Sequence, residues 1–211
     1  MNTLRVESVR QNRDIVSLGL DSGSVIRLSL AYLPPEYANF LLYPGAVLNE
    51  EAGAILYQGA ACLAAEKAAL RLIARAEQCA AGLERKLERR GHDPAAVRRV
   101  LGRLLELNLV NDGRYAALWL KSRISRDFRG PRNLEAALRA RGINRETAKA
   151  ALESALTEDA ELKLLERCLK KARGKKNPGA GDIRFFLKTE GFSHDAIEQY
   201  FSGVLEAAPE S

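Results

Sequence analysis

The sequence predicts a mainly α fold, a tandem array of three three-helix modules behind a small N-terminal antiparallel β piece. Three observations carry that prediction. A glycine recurs in one apolar framework at Gly91, Gly142 and Gly191, at intervals of 51 and 49 residues. A fixed period of this size marks repeat architectures, in which one supersecondary unit is copied. Around each glycine, apolar residues fall at the same offsets. Leu83 and Leu87, Leu134 and Leu138, and Ile183 and Leu187 precede it. Val97, Val100, Leu101, Leu104 and Leu105 follow the first glycine, and Ala148, Ala151, Leu152, Ala155 and Leu156 the second. Ile197, Tyr200, Phe201, Val204 and Leu205 follow the third. The spacing i, i+3, i+4, i+7, i+8 lays one apolar stripe on an α-helix. Finally, two residues past each glycine stands a helix-capping side chain, Asp93, Asn144 or Ser193. Its oxygen can accept from a free N–H of the first turn, an interaction of about 1 kcal/mol.

Each unit therefore reads as a short helix, a glycine corner in the left-handed conformation, and a longer capped helix. Pro94, just after Asp93, suits a first helical position. His92, Ile143 and Phe192 are placed to pack back over the corners. A further helix is expected before each pair, over residues 66–78 (Leu70 and Ile73 inward), 112–125 (Tyr115, Leu118 and Trp119 inward) and 158–173 (Leu162, Leu165 and Leu169 inward). The expected modules span residues 66–110, 111–157 and 158–206, with a frayed tail at 207–211. Similar stripes alone would arise from any amphipathic helices. The shared glycine, cap and period together require a copied unit.

Residues 1–60 have a different texture. Three β-prone runs (Leu4 to Val9, Ile15 to Leu20, Val25 to Leu30) are divided by turn-forming residues at 11–14 and 21–24. They predict an antiparallel meander closed by Pro34 and Pro35, then a helical stretch over 37–42 and a turn at Pro44-Gly45. Asn49 is positioned to cap a short helix over 50–58. Three strands alone are marginal, so the sheet should lean on a helix or on the first module.

The 211 residues carry 33 Lys and Arg against 27 Asp and Glu, a net charge of +6 that is strongly segregated. Residues 1–65 hold 4 basic and 6 acidic side chains, residues 66–176 hold 27 and 15, and residues 177–211 hold 2 and 6. The basic excess belongs to the middle of the chain, where it would attract polyanions. Two links sharpen this, 126–132 with Arg126, Arg129 and Arg132, and 173–179 with Lys175 and Lys176. In a stacked array, equivalent links fall along one edge. The expected contact edge is Lys121, Arg123, Arg126, Arg129, Arg132, Arg139 and Arg141, extended by Lys175 and Lys176. Phe128 could stack on a base or plug a gap between modules. For any single cation, solvation of a helix surface is the simpler role.

No catalytic constellation emerges, and no enzyme activity, cofactor or metal is expected. The glycine-rich stretch 174–181 lacks the Lys-Ser/Thr and preceding strand of a phosphate-cradling loop. Two histidines, His92 and His194, both near corners, do not make a metal site or a triad. Cys62, Cys79 and Cys168 are odd in number and widely spaced, which fits reduced structural thiols. No signal peptide is expected, and no apolar run reaches the ~18 residues of a membrane span. The expected setting is cytoplasmic, and the expected state a monomer.

These residues resemble the RecX family of recombination regulators. Ala69 to Arg75, Leu83 to Leu87 and Arg90-Gly91 are similar to that family's first module. Leu107 to Ala116, Gly130-Pro131-Arg132 and Leu138 to Ile143 are similar to its second, and the likeness covers about residues 66–206. The β-prone start resembles the family's variable N-terminal piece. The chain departs from the pattern at Cys79, where the family usually shows serine, and at Gly82, where it shows an acid. Asn111-Asp112 stands where paired acids are common, and Gly113 follows as a poor helix former.

The resemblance implies a non-enzymatic protein that binds the groove of the RecA–single-stranded DNA filament. It would inhibit filament growth, strand exchange and co-protease activity, touching DNA weakly and without sequence preference. Two other readings stay open on the residues alone. One is a helix-turn-helix-like DNA-binding regulator, with Arg98, Arg99 and Arg103 on the outer face of a recognition helix. The other is a helical-repeat scaffold for a different acidic protein.

Overall fold

The computed structural model describes residues 4–37, 42–126, 128–173 and 180–206. Nine α-helices follow a four-stranded antiparallel sheet among them, and the chain divides into two compact units at Val110 and Asn111.

In the first unit, β1 (Leu4–Asn12), β2 (Ile15–Leu20) and β3 (Val25–Ser29) form the expected meander. A two-residue β4 (Val47–Leu48) adds to the other side of β1, giving the order β3-β2-β1-β4. Period-two alternation turns Val16, Leu18, Leu20, Ile26 and Leu28 to one face, where they are buried with Ala52 and Leu56 of α1 (Glu50–Ile73). A sheet too small to stand alone is thus completed by a helix.

That helix differs from the expectation. One continuous α1 replaces the two segments placed at 50–58 and 66–78. Asn49 caps it as predicted, its side chain accepting from the Ala52 N–H at 2.8 Å. Between Gln58 and Glu66 only Gly59 disfavours a helix; it packs close to Leu28 of β3, and the four alanines there favour the helix. The helix ends at Ile73, short of 78, and beyond it the Gln78 side chain donates to the Ala76 carbonyl at 2.9 Å. The C-terminal half of α1 turns Cys62, Ala65 and Ala69 into a second core with α2 (Ala80–Glu88) and α3 (Pro94–Glu106). Leu70, expected inward, is 40% exposed.

In the second unit, α4 (Asp112–Ile124) packs on α6 (Arg145–Ala155), and α5 (Pro131–Arg139) lies between them in sequence. Then come α7 (Glu158–Arg173), α8 (Ala180–Thr189) and α9 (His194–Glu206). The inward face of α4 also differs from the expectation. Ala116 and Leu120 are fully buried, Tyr115 and Trp119 are half-buried, and Leu118 is 51% exposed. Five consecutive apolar residues, 116–120, leave the periodicity without a preferred face. Packing then selects the small Ala116. The helical start at 112, questioned by Gly113, is secured by Asn111, which accepts from the Arg114 N–H at 2.8 Å.

The glycine corners are equivalent in all three places. Gly91, Gly142 and Gly191 have φ of 82°, 96° and 96°. Each corner returns two N–H groups to the preceding turn: Gly91 to Glu88 and His92 to Leu87, Gly142 to Arg139 and Ile143 to Leu138, Gly191 to Lys188 and Phe192 to Leu187. Ile143 and Phe192 are buried over their corners, and His92 is half-buried. Asp93, Asn144 and Ser193 accept from the N–H groups of Ala96, Thr147 and Ala196 at 2.8, 2.7 and 3.1 Å.

The third corner has a second use. Gly130 donates its N–H to Glu190 O at 2.8 Å, Arg132 its N–H to Gly191 O at 3.1 Å, and Asn133 Nδ2 reaches Thr189 O at 3.0 Å. Gly130 caps α5 without a side chain. The orphan donors at the start of α5 are instead met by the orphan carbonyls ending α8. A Cβ on Gly130 would lie 2.5 Å from the Gly191 carbonyl carbon, so only glycine permits the contact.

Substituting two corner glycines should separate backbone strain from packing. Gly91→Ala meets nothing within 4 Å and should cost only its positive φ, about 1 kcal/mol. Gly191→Ala places its Cβ 2.7 Å from the Asn133 nitrogen and should cost at least about twice that in denaturant unfolding. Equal losses would contradict the lock between α5 and α8.

The start of α2 offers the opposite test. Cys79 occupies its N-cap position without a side-chain cap bond, and a Cβ on Gly82 would lie 2.9 Å from the Cys79 sulfur. The double change C79S/G82E builds a capping box there and removes a helical glycine. It should stabilise the fold by about 1–2 kcal/mol and raise Tm by roughly 2–8 °C.

Candidate functional site

The basic edge is built on α4 and the residues around α5. Tyr115, Trp119 and Arg123 follow helical spacing and share one stripe of α4, and Arg126 lies in the turn just past its end. Arg123 lies over the Trp119 ring with its guanidinium carbon 5.4 Å from the centroid. Arg141, just past α5, lies 4.6 Å from the same ring and donates to Ala137 O at 2.7 Å. Two guanidiniums thus share one aromatic platform. Each such contact contributes about 0.5–1 kcal/mol at an exposed site, and more where water is excluded. The ring holds both cations in place without neutralising them.

The remaining predicted residues are distributed differently. Lys121 and Arg126 are exposed near the end of α4, Arg132 is exposed on the first turn of α5, and Arg139 is exposed at its end. Arg129 is half-buried in the connection. Lys175 and Lys176 lie outside the described residues. The 126–132 link, expected as an open binding loop, is divided in use. Its second half, Gly130 to Arg132, is bound through its backbone to the end of α8. Phe128 is half-buried with the Lys171 ammonium 3.1 Å from its ring centroid, so that face serves internal packing.

Sequence reasoning read Trp119 as core and missed its role as a platform. The i, i+4 spacing to Arg123 was the available signal; the approach of Arg141 left none. Equally invisible was Arg167, whose guanidinium donates to Ile124 O and covers the C-terminal end of α4 from 43 positions away.

Two of the three arginines of the helix-turn-helix reading are otherwise engaged. Arg99 and Arg103 lie 5.8 and 6.0 Å from the ring centroid of Tyr32, which is buried, and Arg103 is 3.5 Å from Glu66. They fasten α3 to α1 and to the 3-10 turn Leu30–Tyr32. Arg98 is exposed.

Cys62, Cys79 and Cys168 are buried and free of disulfides. Burial pushes the Cys168 thiol up to about 12 and raises that of Cys62, which suppresses the reactive thiolate. Among the described residues no His, Cys, Asp or Glu grouping could hold a metal ion, and no helix is long and apolar enough to cross a membrane.

Comparison with known proteins bears directly on this geometry. The family described as "RecX, first three-helix domain" matches residues 65–104, and "RecX, second three-helix domain" matches residues 111–152. The regulatory protein RecX of Halorhodospira halophila is 38% identical over 148 residues, covering 66% of this chain and 87% of that protein. The chain belongs to the RecX family. The RecX of Treponema pallidum (strain Nichols) is 29% identical over 160 residues, 76% of this chain and 96% of its own. A crystal structure of regulatory protein RecX shares the fold with a TM-score of 0.73 at 21% identity, covering 92% of this chain and 97% of the other. RecX from Lactobacillus salivarius aligns with a TM-score of 0.60 at 22% identity, over 68% and 96%. The segments 65–104 and 111–152 contain two of the glycine corners, Gly91 and Gly142, and the Trp119 platform.

Because Trp119 is the one tryptophan of the chain, its emission reports this cluster alone. A polyanion such as heparin should draw Arg123 and Arg141 off the ring and shift the emission. Raising salt to about 0.5 M should reverse the shift. Emission indifferent to saturating heparin would remove the cluster from the candidate interface.

Proposed function

We propose that this RecX-family chain is a non-enzymatic regulator of the RecA recombinase, acting in the cytoplasm as a monomer. It lies in the groove of the RecA–single-stranded DNA filament and restrains filament growth, strand exchange and co-protease activity. The N-terminal sheet precedes three three-helix modules spanning residues 66–110, 111–157 and 158–206. The edge containing Lys121, Arg123, Arg126, Arg139 and Arg141 faces the filament, with Lys175 and Lys176 extending it and Arg129 and Arg132 at its margin.

The observation that carries this reading is the Arg123–Trp119–Arg141 platform, set in a family of regulatory proteins. A protein acting beside DNA in a filament needs cations that stay charged and oriented. An aromatic platform provides that, because the ring attracts the guanidinium without supplying a counter-charge. Contact with DNA then comes through phosphates, and is weak and salt-dependent.

Charge reversal on α4 tests the reading. Lys121, Arg123 and Arg126 are exposed, so the triple change K121E/R123E/R126E should leave the circular dichroism and thermal transition unchanged. Inhibition of RecA-dependent ATP hydrolysis on single-stranded DNA should require at least about ten times more protein. A triple variant that inhibits as the parent does would reject this edge as the contact.

A further inference from the structure

The N-terminal sheet holds a second basic feature, of a different kind. A cleft of about 580 Å³ opens beside the β1–β2 hairpin, lined by Arg10 and Arg27 of the sheet, Arg13 of the hairpin loop and Lys67 of α1. Residues 1–65 are net acidic and contain only four basic side chains, yet three of them line this one cleft. Strand register explains part of the arrangement. Arg10 pairs with Ser17 and Ser17 with Arg27, so the three form a row across β1, β2 and β3. Ser17 is short, which leaves an open floor between two guanidinium-bearing strands about two strand spacings, or ~10 Å, apart.

The hairpin tip adds a conformational signal. Asn12 and Ile15 are the last pair, so Arg13 and Asp14 make the loop, and Arg13 has φ of 55°. Glycine, asparagine or aspartate usually occupies such a position, because a longer side chain with a Cβ is strained there. Gln11 steadies the turn by donating its side-chain amide to Arg13 O at 2.9 Å. Strain kept at a position where glycine would relieve it points to a use for the side chain.

The charge balance of the cleft gives that use. Its one acid, Asp14, accepts from the Ser29 hydroxyl at 3.4 Å. Arg10, Arg13, Arg27 and Lys67 are all exposed, and none pairs with a described acidic residue. Four cations against one carboxylate leave the cleft with an excess of three positive charges, which favours an entering anion. The lining contains no aromatic ring for stacking on a base, and Ile15 is its one large apolar side chain. A protein partner would ordinarily bring an apolar anchor to the centre of its site, and this cleft has no place for one. Bidentate guanidiniums with Asn12 and Ser17 as neutral donors suit phosphate oxygens.

We infer that the cleft lined by Arg10, Arg13, Arg27 and Lys67 binds the phosphodiester backbone of nucleic acid, without reading its sequence. The site is independent of the α4 edge and of any action on RecA.

The test uses the full chain and a fluorescein-labelled 30-nucleotide oligothymidylate, without RecA, titrated by anisotropy at several salt concentrations. R10E/R27E should bind at least tenfold more weakly, and its log–log salt slope should fall by about 1.4, the share of two phosphate contacts on a single strand. R13G should also bind more weakly, with a slope lower by about 0.7, while its Tm rises by a few degrees as the backbone strain is relieved. Unchanged affinity and slope in R10E/R27E would overturn the assignment, as would an R13G variant that is more stable and binds undiminished. A labelled polyglutamate of matched charge supplies the alternative. If R10E/R27E loses polyglutamate but keeps the oligonucleotide, the cleft serves an acidic protein and the inference fails. None of these readouts involves ATP hydrolysis by RecA, so they stand or fall separately from the α4 charge reversal.

Discussion

The left-handed glycine corner is the constraint from which the helical architecture follows. A residue at φ of 82–96° ends one helix by turning two N–H groups back onto its last carbonyls. Two residues later a side-chain oxygen takes the first free donor of the next helix. The chain therefore leaves one helix and enters another across four or five residues, with few backbone groups unpaired at either end. That leaves little freedom in the angle between the two helices, so the apolar stripes on either side converge at a fixed place. Leu83 and Leu87 meet Val97, Val100 and Leu104 in a common core. The stripes provide the burial energy, and the corner decides where it is collected.

In the second unit the same corner does more. The carbonyls of Thr189, Glu190 and Gly191 accept from Asn133, Gly130 and Arg132, so the end of α8 meets the start of α5. The negative end of one helix faces the positive end of another, and hydrogen bonds and dipoles favour the same geometry. This arrangement accounts for a glycine followed by proline at 130–131. The glycine admits the other chain, and Pro131 lacks an N–H at a position where none is needed. The departure at α2 has a comparable local logic. The Cys79 sulfur fills the space that a side chain at residue 82 would need, so the loss of the cap and the glycine at 82 form one change.

What could be read from the sequence was whatever depends on neighbours within about a dozen residues. The corners, the caps at Asn49, Asp93, Asn144 and Ser193, and the alternation of β2 and β3 are all local. Contacts joining distant segments were not legible. Gly130 against Gly191, Arg167 on Ile124 and Arg141 on Trp119 carry no periodic signal. The face of α4 failed for a different reason, since an apolar run of five residues fits more than one inward register and only packing against α6 decides among them. α1 was divided because a change of texture near residue 60 was read as a boundary. In the structure one helix belongs to both cores, with Ala52 and Leu56 under the sheet and Cys62, Ala65 and Ala69 under the helices.

The basic residues are of two physical kinds, and net charge does not distinguish them. Arg103 with Tyr32 and Glu66, Lys171 with Phe128, and Arg184 with Phe201 and Glu198 fasten elements together. The hydrogen bond from Arg184 holds the Glu198 carboxyl below its ordinary range, as expected of a cation already engaged. Lys121, Arg126 and Arg139 on the helical edge, and Arg10, Arg13 and Arg27 on the sheet, are exposed and lie outside these fastenings. Arg123 and Arg141 stand between the two classes, held by an aromatic ring yet still fully charged. A polyanion meeting such a surface would leave the cores undisturbed, because the exposed cations are not those that hold the fold together.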